Sequence, residues 1–252
     1  MPVHPESTLY RCVSCTHAFG LPRVHENYGS EYYDITHRLW FEHPNFQLFE
    51  RIAKRIPLNS TVLDVGCGRG HFLTHLRRIR PDLTLTGIDY NSNDSSNGIT
   101  FLSGDVMTVD PGTFAFVVSL AVIEHIPEVV EFVRRVRSFT RPGGEAAIMT
   151  LNDSSLLYRM ARATRPVLPI AFNRLYSAHH LHHFTRRSLE ELIESNGFSM
   201  EESWTHNAPL AAIDIPAEGL YGGVLRGGMW VVCRVGELQD SAYLQTVISK
   251  AR

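Results

Sequence analysis

LDVGCGRG, Leu63 to Gly70, is the stretch whose reading decides the fold. It sets an acid, Asp64, into the end of an apolar run and then gives up side chains at Gly66, Gly68 and Gly70. The run before it, TVLDV, reads as a buried strand. The run after it, GHFLTHLRRIR, carries Phe72, Leu73, Leu76 and Ile79 at helical spacing, and Pro81 ends it. A glycine turn between strand and helix lets backbone approach a ligand closely. The fingerprint that seats a pyrophosphate on a helix N-terminus is G-x-G-x-x-G, whereas this turn is D-x-G-x-G-x-G. A carboxylate there opposes a phosphate and suits a cation, such as an ammonium or a sulfonium.

The same alternation continues outward. LTLTGID, ITFLSGD and FAFVVSL read as further strands. PEVVEFVRRVRSF is an amphipathic helix with Val129, Val130, Val133 and Val136 on one stripe, and RPGGEAAIMTL is a turn into a fifth strand. Strands separated by helices imply parallel pairing with right-handed crossovers, so the expected fold class is α/β, a doubly wound, mostly parallel seven-stranded sheet. NFQLFERIAKRI is expected to pack on the sheet as a helix. SLEELIESNGF is expected as another, boxed by Ser188 and Glu191 and stopped by Gly197, and MWVVCRV as a late strand. Residues 1–40 read as an N-terminal extension and 41–252 as the main domain. The stretch 152–183, with Pro166 and Pro169, reads as an irregular, mobile lid insertion.

The strand ends carry the chemistry. Asp89 closes the second strand, where a ribose would lie across the sheet edge and offer both hydroxyls to one carboxylate. Tyr90 can present a flat face to a purine, and Asp105, in SGDVM, can accept a bond from an exocyclic amine. The implied ligand has a cationic amino-acid end, a ribose and an adenine.

Bulk composition narrows the rest. Net charge is −2 and the isoelectric point is near 6.7, which gives no reason to expect nucleic acid. No run approaches the ~20 apolar residues of a membrane span. MPVHPESTLY is no signal peptide, so four cysteines read as free thiols in the cytoplasm.

Taken in order, VLDVGCGRG, GIDY, SGDVM, SLAVIEHI and RPGGEAAI resemble the five motifs of the class I S-adenosylmethionine-dependent methyltransferases. Within that superfamily IEHI, TLNDSS and HLHHFTRRSLEELIESNGF are similar to small-molecule enzymes of the ubiquinone-biosynthesis type. The resemblance implies the Rossmann-like methyltransferase fold and S-adenosyl-L-methionine as cofactor. It implies that Asp64 and Gly66 cradle the methionine end, with the Cys67 and Gly68 backbone beside it. Asp89 then holds the ribose, Tyr90, Asp105 and Val106 frame the adenine, and Ser119 and Leu120 line the pocket. Two features depart from the group. NSNDSSNG is too short and polar for the usual helix and should be a loop. Ala121 stands where those relatives carry a Glu that, with the following acid and His, can hold a cation, so no metal is expected.

His125, just past the fourth strand, is the expected general base for a small-molecule hydroxyl of a sugar, a phenol or a lipid-linked compound. The rival readings are a scaffold that kept the fold and lost the chemistry, and an N- or C-methyltransferase. Cys12 and Cys15 form half a zinc site, with a plain hairpin as the blander reading. His179 and His183 are a ligand pair only if helical, and otherwise a polar hinge beside Phe184. Tyr28, Tyr32, Tyr33 and Trp40 read either as aromatics that close over a sulfonium and substrate or as ordinary helix packing.

Overall fold

A computed structural model describes residues 2–4, 7–22, 38–90, 95, 97–167, 169–177, 179–213 and 219–252. Two short strands, β1 (Pro2–His4) and β2 (Ser7–Arg11), lead into β3 (Ala18–Pro22). Helices α1 (Arg38–Glu42) and α2 (Phe46–Ala53) follow. The main layer then alternates β4 (Thr61–Val65), α3 (His71–Ile79), β5 (Thr84–Asp89), β6 (Ile99–Ser103), β7 (Phe114–Leu120), α4 (Val129–Phe139) and β8 (Thr140–Leu151). Beyond it come α5 (Leu156–Thr164), α6 (Pro169–Leu175), β9 (His182–His183), α7 (Arg186–Glu194), β10 (Phe198–His206), α8 (Gly219–Leu238) and β11 (Leu244–Ala251).

Seven strands form one sheet in the order β10-β11-β8-β7-β4-β5-β6. The β8-β7-β4-β5-β6 ladders are parallel, and β11 runs antiparallel to both its neighbours. This is the doubly wound, mostly parallel sheet that the alternation implies. Apolar side chains leave both faces, so the sheet is sandwiched between two cores. One holds Phe72, Leu73, Leu76 and Phe116; the other holds Leu63, Phe132, Val133 and Phe198.

Four expectations shift. MWVVCRV is not a strand: Met229 to Val235 lie within α8, where Cys233 and Gly236 turn inward. The strand is LQTVISKA instead. Its polar residues hid it, yet Gln245, Thr246 and Ser249 are all buried, and the Gln245 amide donates to the Leu151 and Phe184 carbonyls at 2.9 Å each. α7 begins one turn earlier than its proposed cap: Thr185 is the N-cap and Ser188 its N3 partner, while Glu191 pairs with Arg187 at 2.6 Å. On α4 the buried stripe is Phe132, Val133, Val136 and Phe139, with Val130 turned to solvent.

The fourth difference is the segment after β8. It is two helices rather than irregular chain, and Tyr158, Phe172 and Tyr176 are buried beneath them. Asp153 anchors it, accepting from Arg11 at 2.7 Å, from Arg162 at 3.0 Å and from the Tyr176 hydroxyl. Arg11 belongs to a small second sheet, β1-β2-β3-β9, whose β9 partner comes from the end of the same segment. Cys12 and Cys15 sit as free thiols in the β2–β3 hairpin, closed by the Cys12 amide donating to the His17 carbonyl at 2.8 Å. The loop 91–98 falls mostly outside the described residues, as do His25, Tyr28, Tyr32 and Tyr33 wholly.

Candidate active site

The glycine turn sits where β4 leaves the sheet. Gly66 and Cys67 both donate to the Ile88 carbonyl, at 2.8 and 3.0 Å, which ties the turn to the neighbouring strand β5. Gly66 and Gly70 have φ near +71°, and a side chain would be strained there on backbone grounds alone. Space forbids one as well. A Cβ on Gly66 would lie 2.5 Å from the Val122 side chain, and one on Gly70 would lie 2.8 Å from the Phe101 ring.

Asp89 ends β5 and accepts from the Gly68 amide at 2.8 Å, so one carboxylate both fixes the turn and stands at the sheet's C-terminal edge. Asp64 is fully buried beside it. Burial first, and then the charge of Asp89, push its carboxyl up to about 8. A cation beside Asp64 would favour its ionised form.

Phe41 of α1 stands over Gly68, with its Cε1 3.6 Å from where a Cβ would be, and the Arg69 guanidinium lies 5.2 Å above its ring. Trp40, on the same short helix, packs half-buried against the core. After β5, Tyr90 is exposed. Burial, then its bond to Asp105, holds its phenol above the usual range. Asp105 caps its own turn, accepting from the Met107 amide at 2.8 Å, and Val106 is buried behind it. Ser119 is buried in the sheet with no partner for its hydroxyl among the described residues, and Leu120 is half-buried at the strand's end.

Past β7 the chain turns through Ala121, at φ +57°, into a 3₁₀ turn, Ile123–His125. Val122 packs on Gly66, and the His125 amide donates to the Val122 carbonyl at 2.9 Å, so His125 follows that contact by one turn at the end of β7, the strand beside β4. The His125 Nδ1 lies 2.9 Å from the His179 carbonyl. That oxygen can only accept, so Nδ1 carries the proton and the neutral ring keeps its lone pair on Nε2. Burial lowers the imidazole below its ordinary value, and the carbonyl bond offsets this only in part. The rings of His179 and His180 lie 5.6 and 5.0 Å from it.

Glu124 turns the other way. It is buried, accepts from the Thr150 hydroxyl at 2.8 Å and is pushed up to about 7 by burial. His179 and His183 are not on a helix: His179 lies in a turn and His183 in β9, its ring 4.5 Å from that of Tyr176.

The sequence reading missed Phe41, Val122 and Gly87. Gly87 was visible as a glycine inside an otherwise apolar strand, a sign of close approach. A Cβ there would meet the Cys67 Sγ at 2.7 Å and the Leu73 Cδ1 at 2.9 Å. We expect Gly87→Ala to destabilise the fold by about 1–3 kcal/mol through overpacking beneath the turn. Urea unfolding checks this, and an unchanged midpoint would show that the turn yields freely.

The family described as a methyltransferase domain matches residues 36–203. The ubiquinone biosynthesis O-methyltransferase of Thiobacillus denitrificans is 26% identical over 154 residues, 52% of this chain and 66% of that protein. This chain spans less than two thirds of the length of that protein and of similar relatives. Among solved structures, the Haloferax volcanii complex between the Trm112 methyltransferase activator and a putative methyltransferase superposes with a TM-score of 0.62 at 14% identity. It covers 90% of this chain and 99% of that one. The Burkholderia thailandensis 1,6-didemethyltoxoflavin-N1-methyltransferase, with its substrate and S-adenosylhomocysteine, gives 0.57 at 13% identity, covering 98% and 99%. No described helix is long and apolar enough to cross a membrane. With the motif order, the sheet and the match over 36–203 in agreement, the chain belongs to the methyltransferase-domain family.

Proposed function

We propose that this protein transfers the methyl group of S-adenosyl-L-methionine to a small-molecule acceptor, by O-methylation of a sugar, phenol or lipid-linked hydroxyl. The observation that carries this reading is the meeting, at one sheet edge, of the Asp64–Gly70 turn, Asp89 and a His125 whose lone pair is assigned to Nε2. The residues fit the donor. Asp64 is a buried carboxyl that a neighbouring cation would ionise, the turn admits no Cβ at Gly66, and Asp89 stands where a ribose diol would be read. Bound there, the sulfonium supplies a methyl group already activated for transfer. Asp64 and the turn hold the amino-acid end, Asp89 the ribose, and Tyr90, Asp105 and Val106 the adenine, with Leu120 at the edge.

His125 then accepts the proton of the acceptor hydroxyl on Nε2, while its Nδ1–H stays on the His179 carbonyl. Alignment and exclusion of water do the rest. Mass spectrometry of candidate acceptors with isotope-labelled donor tests the reading. Label in an O-methyl product supports it. Donor binding with no transfer to any acceptor favours the scaffold reading instead.

The donor's ammonium should also bring Asp64 back to the ionised form. Burial holds that carboxyl protonated at pH 7, because about 8 lies above 7. Binding at pH 7 is therefore expected to release about one proton per donor. Calorimetry in buffers of different ionisation enthalpy measures this, and an enthalpy independent of buffer would place the cation away from Asp64.

A further inference from the structure

The helix α8 connects β10 to β11, and its outer face is unlike the rest of the surface. Val224, Val231 and Leu238 recur every seven residues, so they form one line along the helix, and Trp230 lies beside them. All four are more than half exposed. Around Gly223, Gly227 and Gly228 there is open space. The inner face, with Cys233, already packs on the protein, so this line is a second apolar face that the described residues leave exposed. α8 also packs on α5, and the α5–α6 segment exposes Val167 and Ile170, again each more than half.

Charge is one-sided across both pieces. Residues 154–189 contain no Asp or Glu while Arg159, Arg162, Arg165 and Arg174 lie among them. Within α8 the single acid, Glu237, is bridged by Arg234 at 2.7 Å, which leaves Arg226 to set the sign. Arg159, Arg174 and Arg226 are exposed. Topology places the two pieces together. His206 pairs with Leu244 and Leu244 with Leu151, so α5 and α8 both spring from the sheet's C-terminal edge.

We propose that α8, with α5–α6, is a docking face for an anionic phospholipid bilayer. The apolar line enters the interface, Trp230 sits at headgroup depth, and the arginines meet phosphates. The helix lies along the surface rather than across it, since it is too short of apolar residues to span. A second copy is the poorer occupant. Two such faces would set Arg159 and Arg226 against their own copies. This face is independent of the methyl-transfer reading, and its test uses no turnover.

Vesicles of phosphatidylcholine containing about one third phosphatidylglycerol are the probe, beside pure phosphatidylcholine. The intact protein is expected to co-sediment with the anionic vesicles. Added salt should release it in part, and brominated acyl chains should quench Trp230 fluorescence. Val224→Asp with Val231→Asp, and separately Arg159→Glu with Arg226→Glu, are each expected to lower the partition coefficient about tenfold or more. Should the aspartate variant fail to fold, quenching in the wild type and the arginine variant still decide the matter. Wild type remaining in the supernatant with both vesicle types overturns the proposal. So does a concentration-dependent dimer in sedimentation that the aspartate pair abolishes without any vesicle binding, since the face would then join two copies.

Discussion

Replacing His125 with alanine is expected to lower turnover by on the order of 10²–10⁴ while donor affinity stays intact. The His125 ring bonds the His179 carbonyl, and it is Val122 that packs on Gly66, so removing the ring is expected to leave Asp64, Asp89 and the glycines in place. The pH profile carries a second signature. Burial lowers the imidazole pKa, so the proton-accepting form is complete by neutrality. The rate should rise with pH only in the acid range and stay flat above it. His125→Asn separates base from positioner, because an amide can keep a hydrogen bond to the His179 carbonyl but cannot take a proton at neutral pH. If the asparagine variant works nearly as well as wild type across the range, the acceptor loses its proton elsewhere, with His179 and His180 the next groups to test.

The second large effect is on donor binding. Asp89→Ala removes the acceptor for two ribose hydroxyls, at about 1.5–3 kcal/mol, or roughly 10- to 150-fold in affinity. It also frees the Gly68 amide, which Asp89 holds at 2.8 Å. Asp89→Asn keeps an acceptor for that amide and loses the charge, so it should bind better than the alanine variant and worse than wild type. Calorimetric titration resolves the three. Equal affinity in all of them would move the ribose off this strand.

The parallel half of the sheet was legible because each β4–β8 strand is an apolar run ending in a turn signal, and each helix shows its stripe. The antiparallel half was not. β11 is a buried strand built on Gln245, Thr246 and Ser249, whose side-chain hydrogen bonds, to Leu151 and Phe184, to His206 and to Ala146, are all tertiary. α8 misled for the opposite reason. Its valines suit a strand by propensity, and glycines at 219, 222, 223, 227 and 228 argue locally against a helix. In the site, residues at strand ends were readable by register. Partners brought from afar were not: Phe41 over Gly68, the His179 carbonyl behind His125 and Arg11 on Asp153 join residues that no local spacing relates. The same holds for the segment after β8, whose two helices and whose Asp153 bonds to Arg11, Arg162 and Tyr176 no local pattern announces.

The placement of β11 between β8 and β10 also fixes an order of events. During synthesis β4 to β8 can pair as they emerge, each beside a strand already made. β10 cannot, because among the described strands its one partner is β11, and that strand arrives after the whole of α8. Until then a nine-residue strand and the open edge of β8 stand exposed together, and α8 has no finished surface to lie on. The nascent chain therefore passes through a stage with two unpaired edges and an uncovered apolar helix, the stage at which aggregation competes with folding and a chaperone would be engaged.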